Sequence, residues 1–437
     1  MSSSPLNVAI IGMGTVGSGV AKILLDRSEQ MTTRAGRPIH LKKAVVRDLS
    51  RPRNIDLPPD VLTDSIDAVI NDESIDVVIQ LIGGIEPAYD IMLRALESGK
   101  DVVTANKALL CEKGESLFQR ARELGRCICF EAAVAGGVPL LETVTQAMTA
   151  NQITSIEAIL NGTSNYILTE MFSHNVSYAD AVKSAQEIGY AEADPAMDVD
   201  GTDAAQKLGI LVQLALGIKV NLDQFLRQGI DSLSLADLQY ASELGYTVKL
   251  LAVAKLLDGQ LEMHAQPTLI RNDNPLAHVE DAYNKIALEG DAVGKVWLSG
   301  MGAGQMATAS AVVANVVDIA VGRAALTFPR LDLWNPRQGI KIMPREEISR
   351  RYFLRLNVED RPHVLADITN VLGDHEISIA SLVQHEAPEV DPDESYSIVP
   401  LVIMTHRTTE GRFQAASREL DELDCIRSPF VRMPVND

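Results

Sequence analysis

The first third of the chain alternates short, β-branched apolar runs with longer stretches whose apolar positions recur every three to four residues. Leu6–Ile11, His40–Val46, Val77–Ile82, Asp101–Thr104 and Cys127–Phe130 read as strands. Between them, the patterns from about Thr15 to Glu29, over Tyr89–Ser98 and over Lys113–Leu124 read as amphipathic helices. This rhythm predicts a parallel sheet of right-handed βαβ units, since parallel neighbours need a crossover and a helix supplies it. From about Gln152 to Leu333 the helical patterns lengthen, and strand-like runs at Ile153–Leu160, Leu261–Leu269 and Asn284–Leu288 predict a second sheet. The helix expected over Asp203–Gly217 is apolar nearly all round, so it should be buried. Trp334–Glu347, with Pro336, Gly339 and Pro344, reads as a linker. Beyond it lie a strand at Tyr352–Val358, a helix at His363–Leu372, strands at Ile377–His385 and Ser397–Thr405, a helix at Arg412–Leu423 and a strand at Ile426–Met433. That order, βαββαβ, is the ferredoxin-like arrangement of a small module.

Length agrees with this division. At 437 residues the chain suits about three domains: 1–140, completed by a helix from about 302–320, then 141–333, a linker over 334–349, and 350–437. The fold class is therefore α/β: a parallel-sheet domain, an α+β domain and the terminal module. Lys and Arg total 39 against 59 Asp and Glu, a formal charge of -20. Such a field repels nucleic acid and anionic membrane surfaces, so any basic site has to be small and local. No run reaches the roughly 18 apolar residues of a membrane span. Val8–Ile11 is short, lacks a basic flank and runs into glycines, so it reads as a strand and not as a leader. A cytoplasmic protein is expected. Four cysteines are too few for a disulfide framework and read as reduced, structural thiols, while the eight histidines show no ligand spacing.

The chemistry starts at Gly12-Met-Gly14-Thr15-Val16-Gly17, which follows a strand and opens a helix. The first glycine allows the turn, the second lets a pyrophosphate approach the backbone, and the third lets helix and strand pack closely. A Rossmann-type dinucleotide domain follows. After the second strand, Arg47 precedes Asp48, with Arg51 and Arg53 beyond; an Arg suits the 2′-phosphate of NADP and an acid suits NAD, so NADP is preferred and NAD stays open. Thr104-Ala-Asn106-Lys107 lies at the carboxyl end of a strand, where open α/β sheets bind ligands, which makes Lys107 a site candidate. The window from Gly189 to Lys207 is acidic at Glu192, Asp194, Asp198, Asp200 and Asp203. Asp203 and Lys207 are i,i+4 at the mouth of the apolar helix, where charge is costly unless matched. Carboxylates for an ammonium and a lysine for a hydroxyl or carbonyl oxygen would suit a small zwitterion.

Taken together, GMGTVG at 12–17, TANK at 104–107, FEAAVAGGVP at 130–139, NGTSNYIL at 161–168, GYAEADPAMDVDGTDAAQK at 189–207 and GMGAGQMATASAVVAN at 300–315 resemble the homoserine dehydrogenase family over nearly the whole chain. The resemblance implies reversible, NAD(P)-dependent oxidation of L-homoserine to L-aspartate 4-semialdehyde, serving threonine, methionine and isoleucine synthesis. It implies that Glu192 and Asp198 bind substrate, that Asp203 orders the site, and that Lys207 is the acid–base residue. Lys107 would contact cofactor and substrate and could share the proton transfer. Glu131, Val134, Gly136 and Val138 resemble a site for a monovalent cation such as sodium, and Gly302 and Gly304 would close over the pyrophosphate. The last module resembles an ACT domain, which implies feedback control by threonine and pairing of subunits as a homodimer or homotetramer. One departure stands out: after Asp360-Arg-Pro362 the family's turn usually has Gly, and here it has His363. A purely structural, dimerising module is the alternative to an effector site.

Two other readings compete. An acylating relative such as aspartate-semialdehyde dehydrogenase needs a nucleophilic Cys, and Cys127 and Cys129 sit on an apolar strand without a nearby His. An amino-acid-responsive regulator whose Rossmann domain only senses redox state has no need of Glu192, Asp203 and Lys207 together. Turnover of homoserine with NADP separates the enzyme from the regulator.

Overall fold

The computed structural model describes residues 4–53, 55–331, 339–385 and 397–436. Its first sheet is made of β1 (Leu6–Ile11), β2 (Ile39–Val45), β3 (Leu62–Thr63), β4 (Val77–Gln80), β5 (Asp101–Thr104) and β6 (Ile128–Cys129). They lie in the order β3-β2-β1-β4-β5-β6, and every pair is parallel. That is the doubly wound dinucleotide-binding order, with its switch point at the carboxyl ends of β1 and β4. Val8, Ile10, Val77, Ile79 and Val103 are buried because helices cover the sheet, which is why these strands read as continuous apolar runs.

The helices differ from the sequence pattern in instructive places. The stretch expected as one helix to Glu29 is two, Thr15–Asp26 and Ser28–Ala35, broken at Arg27. The turn brings Met31 and Ala35 into the same core as Val20 and Leu24. The helix expected from Lys113 starts at Lys107, because Asn106 caps it by accepting the Leu109 N–H at 3.1 Å.

Further along the chain come β7 (Ile153–Ile159), β8 (Leu226–Arg227), β9 (Tyr246–Leu257), β10 (Gln260–Arg271), β11 (Tyr283–Gly290), β12 (Gly294–Met301), β13 (Lys341–Ile342), β14 (Ser349–Glu359), β15 (Ile379–Gln384), β16 (Ile398–Thr405), β17 (Thr408–Thr409) and β18 (Ile426–Asn436). Residues form two compact units. One holds the chain up to Ile156, Gln206–Leu222 and Ala282–Gly339; the other holds Glu157–Ala205, Asp223–Asp281 and the chain from Ile340.

In the first unit, the parallel sheet is joined by the helix Gln305–Ala320, which packs on the helix Thr15–Asp26. The approach is close at Gly19, where a Cβ would stand 2.9 Å from the Gln305 carbonyl. β11 and β12 form an antiparallel hairpin there.

In the second unit, β9 and β10 pair antiparallel along their whole length, from Gln260↔Leu257 to Arg271↔Tyr246. The other edge of β10 is covered by three short pairings: β13 at Gln260 and Leu261, β8 at His264 and Ala265, and β18 at Leu269 and Ile270. β18, β14, β16 and β15 then continue the sheet, and the helices Val364–Asp374 and Glu410–Asp421 pack on it. This is the expected βαββαβ module. Alternate residues of β14 (Tyr352, Leu354, Leu356 and Val358) face its helices, and Tyr352 stacks on Phe413 at 4.1 Å. On the opposite face, Arg355 reaches the helix Leu235–Glu243 and grips Asp237, its Nε 2.5 Å from Oδ1 and its Nη2 3.2 Å from Oδ2. The same Asp237 accepts the Ser234 N–H and hydroxyl at its helix start. The first part of the expected linker, 334–338, lies outside the described residues.

Candidate active site

The glycine turn has the shape its chemistry needs. Gly12 has φ +105, and a Cβ there would come within 2.8 Å of Ile82. A Cβ on Gly17 would collide with the Gly12 carbonyl, whereas one on Gly14 would meet nothing within 4 Å. Gly14 is also the residue before the helix Thr15–Asp26 and gives it no side-chain cap. The first turn, including Thr15 and Val16, therefore points its orphan N–H groups past an open backbone, which is a cradle for an anion.

Around β2, Arg47 is exposed. Asp48 is occupied: its carboxylate accepts the Ser50 N–H at 2.8 Å and the Ser50 hydroxyl at 2.6 Å, bonds that hold it below the usual carboxylate range. Arg53 donates to the carbonyls of Asp48 and Arg51, fixing the loop.

A second network fixes the carboxyl end of β5. Thr104 is fully buried, donates to Gln80 Oε1 at 2.7 Å and accepts the Asn106 N–H at 3.1 Å. Asn106 Nδ2 donates to the Gly84 carbonyl at 2.7 Å. Lys107 thus begins its helix from a strand end locked by Gln80 and Asn106. On the same helix, one turn later, Cys111 packs against Gly209 and lies 4.0 Å from the Gln206 carbonyl. Lys107 and Lys207 each stand within a turn of that contact. Residues 208–213 are buried throughout, so Lys207, half-buried, is the last charge before an apolar core.

In the same unit, the loop at 130–139 packs on the loop at 300–304. Gly137 donates to the Met301 carbonyl at 3.0 Å, and a Cβ on Gly136 would come 2.6 Å from the Gly302 carbonyl. Gly302 itself lies against the Asn284 side chain with no room for a Cβ. Gly304, at φ +111, opens the helix Gln305–Ala320. Glu131 is buried and its two oxygens accept the Leu141 and Glu142 N–H groups at 2.9 Å each. Burial nevertheless lifts its carboxyl from 4.5 to about 7. Val134 is buried beside it, and the Val138 carbonyl accepts the Leu140 N–H at 2.8 Å.

The carboxylates of the acidic window belong to the second unit, and one residue organises them. Asn161 Nδ2 donates to Asp198 Oδ1 at 2.7 Å and to Asp203 Oδ2 at 2.8 Å. Its Oδ1 caps the helix Gly162–His174 by accepting the Ser164 N–H at 2.7 Å, and the Ser164 hydroxyl holds the Asp198 carbonyl. Asp203 is 4% exposed and Asp198 half-buried, so one amide spans a buried and an accessible carboxylate. Glu192 is exposed, on a loop whose carbonyls at 192 and 193 accept from Gln186. Asp203 and Lys207 lie one turn apart on the helix Thr202–Leu216. Asn161 and Gln80 were not among the sequence candidates. Asn161 did carry a signal, an Asn ending a strand-like run three residues before a Ser, which is a helix-cap pattern.

The thiols are unsuited to nucleophilic work. Burial pushes Cys127 up to about 12 and Cys111 up to about 11. Among the described residues, no single helix is long and apolar enough to cross a membrane.

A doubly wound sheet, an open glycine turn on a helix start and a strand-end lysine define a nicotinamide-dinucleotide oxidoreductase. A family model described as homoserine dehydrogenase matches residues 139–317, its NAD-binding domain matches 12–131, and an ACT domain matches 352–425. The chain is 39% identical to the homoserine dehydrogenase of Pseudomonas aeruginosa, with 99% of each chain covered, and 37% identical to that of Bacillus subtilis, with 97% and 96% covered. The crystal structure of a homoserine dehydrogenase from Thiobacillus denitrificans superposes with a TM-score of 0.88 at 38% identity, covering 100% of this chain and 99% of that one. A hyperthermophilic archaeal homoserine dehydrogenase in complex with NADPH gives a TM-score of 0.62 at 25% identity, over 75% of this chain and all of that one. The chain belongs to the homoserine dehydrogenase family, NAD(P)-dependent oxidoreductases acting on CH–OH, and carries a C-terminal ACT domain.

Proposed function

We propose that this chain interconverts L-homoserine and L-aspartate 4-semialdehyde, with NADP preferred over NAD. The preference rests on Arg47, which is exposed beyond β2, and on Asp48, whose carboxylate is already taken by Ser50. When bound, the dinucleotide supplies the hydride acceptor or donor. Gly12, Gly14, Thr15, Val16 and Gly17 would hold its pyrophosphate at a helix start, together with Gly302 and Gly304, and Thr104 keeps the β5 end rigid.

Glu192 and Asp198 take the substrate ammonium. Asp203, held by Asn161, orders that end of the site. Lys207 accepts the hydroxyl proton in oxidation and returns it in reduction, while Lys107 contacts cofactor and substrate and shares the transfer. Stationing the base against the reacting hydroxyl is most of the work, because proton transfer and hydride transfer must be aligned together.

Glu131 with the carbonyls of Val134, Gly136 and Val138 forms a hard, all-oxygen set, which fits an alkali cation such as sodium. A buried carboxyl raised to about 7 is what such a charge would relieve. Three functional parts follow: dinucleotide binding, catalysis with subunit pairing, and ACT-type control by threonine in a homodimer or homotetramer. A cytoplasmic enzyme of amino-acid synthesis is the setting this implies.

The observation that carries the reading is the Asn161 amide shared by two carboxylates, one of them a helical turn from Lys207. Lys207→Ala should keep dinucleotide affinity and lose at least ~100-fold in turnover of homoserine. Near-normal turnover would remove Lys207 from the role.

A further inference from the structure

The Asn161 amide can bridge Asp198 and Asp203 only if the chain between them keeps one shape. In the second unit that chain, 199–202, is built against the segment 226–230. The segment is itself anchored to the sheet. β8 pairs with β10 at His264 and Ala265, and the Gln228 N–H donates to the Ala265 carbonyl at 2.9 Å.

Backbone and side chain both tie the two stretches together. Ile230 donates its N–H to the Val199 carbonyl at 2.8 Å. Gly229 lies so close that a Cβ there would collide with the same carbonyl and stand 2.6 Å from the Asp200 Cα. Gly201, at φ +81, would carry a Cβ 2.9 Å from the Gln228 carbonyl. Arg227 Nη1 then donates to Asp200 Oδ2 at 3.2 Å and to the Thr202 hydroxyl oxygen. Asp200 Oδ1 accepts the Thr202 N–H at 2.8 Å. Asp200, one more acid of the window by sequence, is thus engaged in shaping the chain at the start of the helix Thr202–Leu216. The Arg227 and Asp200 side chains are 39% and 46% exposed. An ion pair this accessible adds little to stability, so its effect is on shape.

We infer that Arg227 is a positioning residue for the substrate end of the site: through Asp200 and Thr202 it fixes the turn that sets Asp198 and Asp203 at the spacing the Asn161 amide spans. It acts through Asp200 and not on the reacting atoms. The inference rests on the reading that Asp198 takes the substrate ammonium, so one arm of its test is independent of turnover.

The test is Arg227→Met, with homoserine varied at saturating dinucleotide and the roles then exchanged. KM for homoserine should rise about tenfold, with kcat changed less than about threefold and KM for the dinucleotide unmoved. Tm should stay within about 2 °C, because only an exposed pair is removed. Arg227→Lys keeps a donor for Asp200 and should restore most of the loss. Asp200→Asn should raise KM in the same way, and the double variant should be no worse than either single one, since both break one tie. Amide exchange in peptides covering 199–203 and 228–231, read by mass spectrometry on the ligand-free chain, should quicken about tenfold in Arg227→Met. That arm decides the role of Arg227 alone if the native chain fails to turn over homoserine, an outcome that would sink the dehydrogenase reading separately. A homoserine KM within about twofold of the native value overturns the inference. So do multiplied effects in the double variant, unchanged exchange, or a lowered Tm with KM untouched.

Discussion

Replacing Asn161 by Ser isolates what its amide does. A Ser hydroxyl at this position can still accept the Ser164 N–H, so the cap on the helix Gly162–His174 is largely kept. The two bonds to Asp198 and Asp203 are lost. Each hydrogen bond to a charged group contributes about 1.5–3 kcal/mol. Water can replace the donor at half-buried Asp198 but hardly at Asp203, so the net loss of stability is about 2–3 kcal/mol. In a chain built from units of this size, that lowers Tm by roughly 5–10 °C. The same loosening frees the carboxylates that grip the substrate, so kcat/KM for homoserine should fall about 30- to 150-fold, the equivalent of 2–3 kcal/mol. The assay is the initial rate of nicotinamide reduction, first with homoserine varied at saturating dinucleotide, then with the roles exchanged. KM for the dinucleotide should not move, because Asn161 bonds to the acidic window and to the start of its own helix. If Asn161→Ser leaves Tm unchanged and kcat/KM within about twofold of the native chain, the carboxylates do not need the bridge. Asn161→Asp, which sets a third carboxylate against the other two, should be worse in both measurements.

Three more outcomes are expected. Glu131 keeps its proton in the folded chain up to about pH 7 but only to about 4.5 when unfolded, so its contribution to stability falls as pH rises across that window. Added sodium should therefore raise Tm at pH 8 and hardly at all at pH 5.5, and Glu131→Gln should erase the difference; equal shifts at both pH values would exclude a cation at this carboxylate. Arg355→Met should cost about 3–5 kcal/mol by leaving Asp237 buried without its partner, while Arg355→Met with Asp237→Asn should recover much of it in urea melts. A double variant no more stable than the single one would show that the pair is not the origin of the loss. His363 sits at φ +76, where a β-carbon is strained; His363→Gly should raise stability by about 1 kcal/mol, and an unchanged denaturation midpoint would show that the turn relaxes at no cost.

Much of the fold was legible because its elements have strong periods. β1, β5 and β7 were readable nearly to the residue. β9 was missed, since Tyr246–Leu257 is buried on both faces over most of its length and shows no alternation to distinguish strand from helix. β12 was missed for the opposite reason, being half-exposed and bounded by glycines. The helix break at Arg27 is set by where Met31 packs, a tertiary choice with no punctuation in the sequence. At the site, the residues of distinctive chemistry (the glycines, Lys107 and the acidic window) were visible. Asn161, Gln80 and Asn106 were not, because an amide that positions another side chain declares itself only when its partners from distant segments are in place.

The edge of β10 opposite β9 is sheltered by three two-residue pairings, and two of them, β13 and β18, come from beyond residue 340. A chain cut before that point would keep β8 alone along a twelve-residue strand and leave a row of unanswered amides and carbonyls open to any passing copy. Clumping and lost turnover after such a cut would then report a bared seam, not the loss of a sensor. Regulation in this chain has to be probed with the last module left in place, by single substitutions within it.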